Sequence, residues 1–199
     1  MNNTTTIKYL YNEERKRLFD VIEQDRDLHF QRNKAIFYLA EYAALRASEL
    51  GIIKMDDLNI TNREIYFHRL KGSNNNTLRI IDEKVLKALL EYLDIRQEEN
   101  IKSPYLFISQ KGSPISRKSL DRLMKKYCKR ANISDDKAHF HTLKHTRAIE
   151  LGELGLDTKE VQYWLGHKSI KNTEIYLQFT SKQQEMLYRK MISLSKTTY

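Results

Sequence analysis

Between residues 57 and 81 the apolar spacing of this chain changes period. DLNI (57–60), REIYFHRL (63–70) and TLRII (77–81) are short runs rich in Ile, Tyr, Phe and Thr, residue types that suit a pleated, half-buried surface. The polar run GSNNN (72–76) separates the last two and reads as a flexible turn. These runs predict a small antiparallel meander. The sequence on both sides of it is spaced for helices, and 6 Gly and 2 Pro in 199 residues provide few breaks. The expected fold class is therefore α+β, mainly helical, with one small antiparallel three-stranded sheet.

The helical segments can be placed by their apolar faces and caps. NEERKRLFDVIEQD (12–25) has Asn12 as its candidate cap and Leu18, Phe19, Val21 and Ile22 on one face. DLHFQRNKAIFYLAEYAAL (27–45) is a longer helix. RASELGII contains a short one with Ser48 as its cap. EKVLKALLEYLDIRQE (83–98) turns Val85, Leu86, Leu89, Leu90 and Leu93 to one side, and YLFIS (105–109) is a short extended run. SRKSLDRLMKKYCKRAN (116–132) is capped by Ser116, with Leu120, Leu123, Met124 and Tyr127 facing inward. HTLKHTRAIELGELG (141–155) ends at Gly155. DTKEVQYWLG (157–166) begins at Asp157 or Thr158 and ends at Gly166. NTEIYLQFT (172–180), which places Tyr176 early in a helix, and SKQQEMLYRKMISLS (181–195) complete the helical set. No internal repeat or linker is visible, so one compact domain is expected after a flexible N-terminal segment, residues 1–11.

Charge narrows the partner. Lys and Arg number 35 against 26 Asp and Glu, a formal net charge of +9, which suits a polyanion. Seven of the basic residues crowd one helix: Arg117, Lys118, Arg122, Lys125, Lys126, Lys129 and Arg130. A solvated face is the structural alternative. One sign with few compensating acids gives weight to nucleic-acid contact. No run approaches the ~20 apolar residues of a membrane span. The lone Cys128 excludes an internal disulfide, and a cytoplasmic setting is expected.

Attack on a DNA phosphodiester without a metal needs a nucleophile, fixed cations for the non-bridging oxygens and an acid for the leaving oxygen. No carboxylate cluster of the kind that holds catalytic metals is present, and neither a metal nor a cofactor is expected. Candidates for the other parts exist. Arg46 lies in the apolar stretch YAALRASELGII, where it requires a ligand or an ion pair, with Glu49 three residues on as the obvious partner. Lys71 stands at the mouth of the polar turn. His141, Lys144, His145 and Arg147 share one helix start, and positions 141, 144 and 145 share a face. His167 follows Gly166, and Tyr176 stands nine residues beyond it (176 − 167). His139, His141 and His145 are an alternative metal set, but no cysteine or carboxylate completes it.

Taken in order, RASEL (46–50), HTLKHT (141–146) and LGHKSIKNTEIY (165–176) resemble the boxes of the tyrosine recombinases, the lambda-integrase-like site-specific DNA recombinases. The resemblance runs over about residues 12–180, and the short chain resembles the fimbrial-switch invertases. It implies a catalytic domain over 12–180 that cleaves and rejoins double-stranded DNA at specific sites through a 3′-phosphotyrosine, with no metal. It implies that Tyr176 is the nucleophile, and that Arg46 clamps a non-bridging oxygen with Glu49 supporting it. Lys71 becomes the general acid, His141 manages the tyrosine's proton and contacts the phosphate, and His167 hydrogen-bonds the phosphate. Lys144 stands where the family has its second arginine, keeping the charge and losing the bidentate fork. Residues 181–199 are implied to form a helix or tail that docks on a neighbouring protomer of a homotetramer on DNA, and the protein is implied to be nucleoid-associated when bound. The alternative is a non-catalytic DNA-binding protein retaining the recombinase fold.

Overall fold

The computed structural model describes residues 7–70, 72–176, 187–189 and 191–192. Its helices are α1 (Asn12–Glu23), α2 (Phe30–Tyr42), α3 (Ala47–Leu50), α4 (Glu83–Glu98), α5 (Arg117–Arg130), α6 (His141–Glu153), α7 (Thr158–Leu165) and α8 (Lys171–Glu174). Three strands, β1 (Leu58–Asn59), β2 (Glu64–Phe67) and β3 (Asn76–Arg79), form one sheet in the order β1-β2-β3. Both pairings are antiparallel, with Leu58 opposite Ile65 and Ile65 opposite Leu78. The expected meander is therefore present, and Ile65, Phe67 and Leu78 bury its inner face.

α2 is the centre of the domain. Its run from Ala35 to Tyr42 is buried, because α4 and α6 cover it from different sides and α1 packs along it. A helix covered all round loses its amphipathic signature, so its apolar and small residues fill nearly every position. Phe37 meets Tyr127 and Phe140 edge-on, tying α2 to α5 and to the start of α6. A buried charge assists: Asp25, 2% exposed, accepts from Tyr127 Oη at 2.6 Å and Arg130 at 2.9 Å.

Several sequence expectations move at their edges. Asn12 is the first residue of α1 and Tyr11 occupies the cap position, where Glu14 accepts its backbone N–H. Ser48 lies exposed inside α3, and Arg46 takes the cap position. The helix expected over 27–45 is only Phe30–Tyr42, because Ala44 turns left-handed (φ 50°) and ends it. Leu90 is 39% exposed, outside the buried face that Val85, Leu89 and Tyr92 share. Leu10, expected in a flexible segment, is 2% exposed and donates its N–H to Thr146 Oγ1. The helix expected over 172–180 is the single turn α8, with Tyr176 two residues past its end. Its remainder, and most of the helix expected over 181–195, lie outside the described residues, although 187–189 and 191–192 are helical.

Candidate active site

Four segments distant in sequence meet on one side of the molecule: the α2–α3 junction, the turn between β2 and β3, the start of α6, and the α7–α8 connection. Arg46 donates to Glu49 Oε1 at 2.6 Å and to Ser73 Oγ at 3.0 Å. Ser73 bridges through its backbone to His167. The His167 ring stacks near Tyr176 with centroids 6.3 Å apart. Tyr176 Oη lies 2.8 Å from His145 Nδ1. His145 meets His141 edge-on at 4.4 Å. His141 and Arg46 both line one open cleft of about 460 Å³, together with Arg117, His139 and the acid Asp121. The contacts close into a ring. Arg46, His141, His167 and Tyr176 therefore converge, as the motif series requires.

Among the described residues, Glu49, at 1% exposure, is the acid that Arg46, Arg69 and Lys144 share. It also accepts from Arg69 Nη1 at 3.2 Å and from the Leu70 N–H at 3.4 Å. Burial works to raise its pKa. Lys144, the Arg46 backbone N–H and Arg69 outweigh burial and hold it below the usual range. Arg69 was not singled out from the sequence. Its side chain is fully buried and donates to Asn76 Oδ1 and to the carbonyls of Ala43 and Trp164, so one guanidinium joins α2, β3 and α7. The signal was faint: an arginine at a core-facing position of the REIYFHRL alternation.

Lys144 is equally deep, at 1% exposure, with Nζ donating to the carbonyls of Ala44 and Leu165 at 3.1 and 3.2 Å. Burial drives its pKa down to about 7, with Arg69 and Arg46 adding to the fall and Glu49 opposing it. The unfolded chain binds this proton up to about pH 10.5, so between about pH 7 and 10.5 the unfolded state holds more protons and stability rises with pH. We expect the urea midpoint of the wild type, measured against Lys144→Met, to gain between about pH 7 and about pH 9. A constant difference would contradict the buried titration. Arg147, three residues after Lys144, makes contacts of its own. It lies over the rings of Trp164 and Tyr42 and pairs with Glu150.

Burial, aided by the same positive charge, lowers His141, His145 and His167. His167 is 4% exposed, bonded through Nδ1 to Thr173 Oγ1. Burial, then Lys144 and Arg46, lower it to about 3. His145 falls to about 4 through burial, His141 and Lys144, and His141 is lowered by desolvation, Lys144 and Arg46. Burial pushes the Tyr176 phenol up to about 12, with Arg46 opposing. Its ring sits among Ala44, Ala148, Leu151, Val161 and Leu165. The site therefore offers arginine cations, neutral histidines and one protonated phenol side by side.

Gly166 fixes the geometry where α7 turns toward His167. It is left-handed at φ 66°, and a Cβ there would lie 2.8 Å from the Asn74 carbonyl oxygen and 3.0 Å from Arg69. Gly166→Ala is expected to cost roughly 2–3 kcal/mol and to lower the thermal midpoint by about 5–10 °C, read by calorimetry.

Lys71 lies outside the described residues, although its flanks adjoin the site: Leu70 donates to Glu49, and the Gly72 carbonyl accepts from the Lys168 N–H. The basic helix divides. Arg117, Lys118, Arg122 and Lys125 surround an exposed hollow beside the cleft, and Lys129 is exposed. Lys126 pairs with Asp25 and Asp27, and Arg130 with Asp25, on the side facing α1. Among the described residues no group of three or more His, Cys, Asp or Glu is arranged to hold a metal ion.

Residues 8–183 match the phage integrase family. The chain belongs to that family. It is 32% identical to the type 1 fimbriae regulatory protein FimB of Escherichia coli K12 over 74% of this chain and 74% of that protein. It is 33% identical to tyrosine recombinase XerA of Pyrococcus furiosus over 89% of this chain and 59% of that protein, so it spans only part of the longer recombinases. The crystal structure of a XerA recombinase superposes with a TM-score of 0.77 at 29% identity, covering 92% of this chain and 64% of that one. The fold is the catalytic-domain fold of the phage integrase family, and the enzyme class of its relatives is tyrosine-type recombinase.

Proposed function

We propose that this phage integrase family domain is a site-specific DNA recombinase that acts on double-stranded DNA through a 3′-phosphotyrosine at Tyr176. The observation that supports the reading is the run of contacts from Arg46 through Ser73, His167, Tyr176 and His145 to His141, whose two ends line one open cleft. In this reading the scissile phosphate enters the cleft and Arg46 holds a non-bridging oxygen, with Glu49 fixing the guanidinium. His167 and His141 donate to the phosphate, and the charge of Lys144 adds to the field from below. Lys71 protonates the leaving 5′-oxygen. The phosphotyrosine conserves the bond energy, so the incoming 5′-hydroxyl reverses the step with neither ATP nor metal. Relatives in the family support DNA as the partner: XerH is known bound to its difH substrate after cleavage, with the same fold at 23% identity.

Arg117, Lys118, Arg122, Lys125 and Lys129 are proposed to track the DNA backbone beside the cleft, in the cytoplasm and on the nucleoid. Residues 12–180 are proposed as the catalytic domain. The tail over 181–199 is proposed to dock on a neighbouring protomer of a homotetramer, supported by Leu187, Tyr188 and Met191 at 44, 61 and 57% exposure. The test is covalent trapping on nicked suicide substrates made from the DNA that flanks the gene. An adduct that maps by peptide sequencing to Tyr176 supports the reading. Binding at that site without any adduct supports the alternative, a non-catalytic DNA-binding protein on this fold.

A further inference from the structure

The ring of contacts contains one group that this mechanism leaves unused. His145 follows His141 by one helical turn on the same face of α6. His141 opens onto the cleft, and His145 lies one layer deeper, with Nδ1 2.8 Å from Tyr176 Oη. The His141 ring contacts His145 edge-on, and the phenol's hydrogen bond goes to His145. We propose that His145 Nδ1, rather than His141, takes the phenolic proton of Tyr176 as its oxygen attacks phosphorus, and returns it when the strand is rejoined. The proposal rests on the strand-cleavage reading above.

The chemistry follows from the surroundings. A phenol held at about 12 is almost wholly protonated at neutral pH and is a poor nucleophile until a base relieves it of the proton. The ring held at about 4 is neutral there, so one nitrogen carries a lone pair. In the proposal the hydroxyl donates, Nδ1 accepts and the ring proton sits on Nε2. The titratable groups around His145 are His141 and Lys144 on its own helix and Tyr176 from the segment after α8. Transfer at rest is uphill, because the neighbouring cations oppose an imidazolium. A phosphodiester in the cleft supplies the missing negative charge, and the phenol becomes acidic as its oxygen bonds to phosphorus. The step therefore balances as follows. The Oη–P bond forms and the P–O5′ bond breaks. The phenolic proton moves to Nδ1, and O5′ takes a proton from a separate acid, which is Lys71 in this reading. Rejoining runs the same path backward, with the imidazolium protonating the departing phenolate.

The test compares His145→Asn with wild type on the nicked suicide substrate. Asparagine sets an acceptor oxygen near the place of Nδ1 and so preserves the hydrogen bond, but it is no base. We expect the rate of adduct formation to fall roughly 10²-fold or more, with DNA affinity and thermal midpoint near wild type. Fluorinated tyrosine at 176, a more acidic phenol, should restore much of the lost rate. A 5′-bridging phosphorothiolate substrate, whose sulfur leaves without a proton, should not. His145→Gln repeats the comparison if the asparagine variant fails to fold. A wild-type rate in both variants overturns the inference and leaves the cleavage reading standing. Rescue by the sulfur leaving group without rescue by fluorotyrosine also overturns it, because it moves His145 to the other end of the reaction. No adduct at Tyr176 in the wild type overturns both.

Discussion

Tyr176→Phe is expected to abolish the covalent protein–DNA adduct while DNA affinity stays within about twofold of wild type. In the proposed reading the lost atom is the nucleophile, so the reaction has no slower route through the same residue. Its removal costs little elsewhere. The ring stays seated among Ala44, Ala148, Leu151, Val161 and Leu165, and only the bond to His145 Nδ1 disappears. One buried acceptor without its donor costs about 1–3 kcal/mol, which the fold should tolerate. Binding is governed by phosphate contacts that the phenol does not make. An electrophoretic shift assay beside the denaturing-gel assay for adduct separates the two effects. An adduct that persists at the wild-type rate would remove Tyr176 from its role.

Glu49→Ala is expected to cost about 3–5 kcal/mol of stability, a fall in thermal midpoint on the order of 10 °C. The reason is the number of cations that this carboxylate serves. Arg69, with a fully buried side chain, pairs with it, Arg46 is oriented by it, and Lys144 lies within its field. Deleting the acid leaves buried positive charge unopposed, which is more costly than never having built the pair. Adducts should fall together with stability, because Arg46 loses the contact that aims it. The double variant Glu49→Leu with Arg69→Met removes both partners and should be closer to wild type in stability than Glu49→Ala alone. Stability of Glu49→Ala equal to wild type would mean that the cations find other partners, and the account of the site would fail.

The elements were legible wherever burial follows a simple period. α4 spans Glu83–Glu98 as its spacing predicts, and Ser116 and Asp157 cap α5 and α7 with their side chains. The meander was legible for the same reason, since alternation marks a sheet with one covered face. Boundaries slipped where tertiary contacts override local preference. Ala44 leaves the helix because its carbonyl accepts from Lys144, and Leu10 is pinned by Thr146 from α6. Neither partner is visible in a local window.

The order of RASEL, HTLKHT and LGHKSIKNTEIY determined, from sequence alone, the family resemblance and the candidate residues, of which Arg46 and His141 line the cleft. Only the tertiary structure decided how each one is held. In a sequence a buried arginine and a surface arginine look alike, so Arg69 at the floor of the site, Arg130 tied to Asp25, and Arg147 stacked on Trp164 could not be told apart. His145 was likewise one histidine among several until folding set its Nδ1 against the Tyr176 hydroxyl. Periodicity records which face of an element avoids water. Which faces meet, and which charges thereby lose their solvent, depends on packing between segments more than a hundred residues apart.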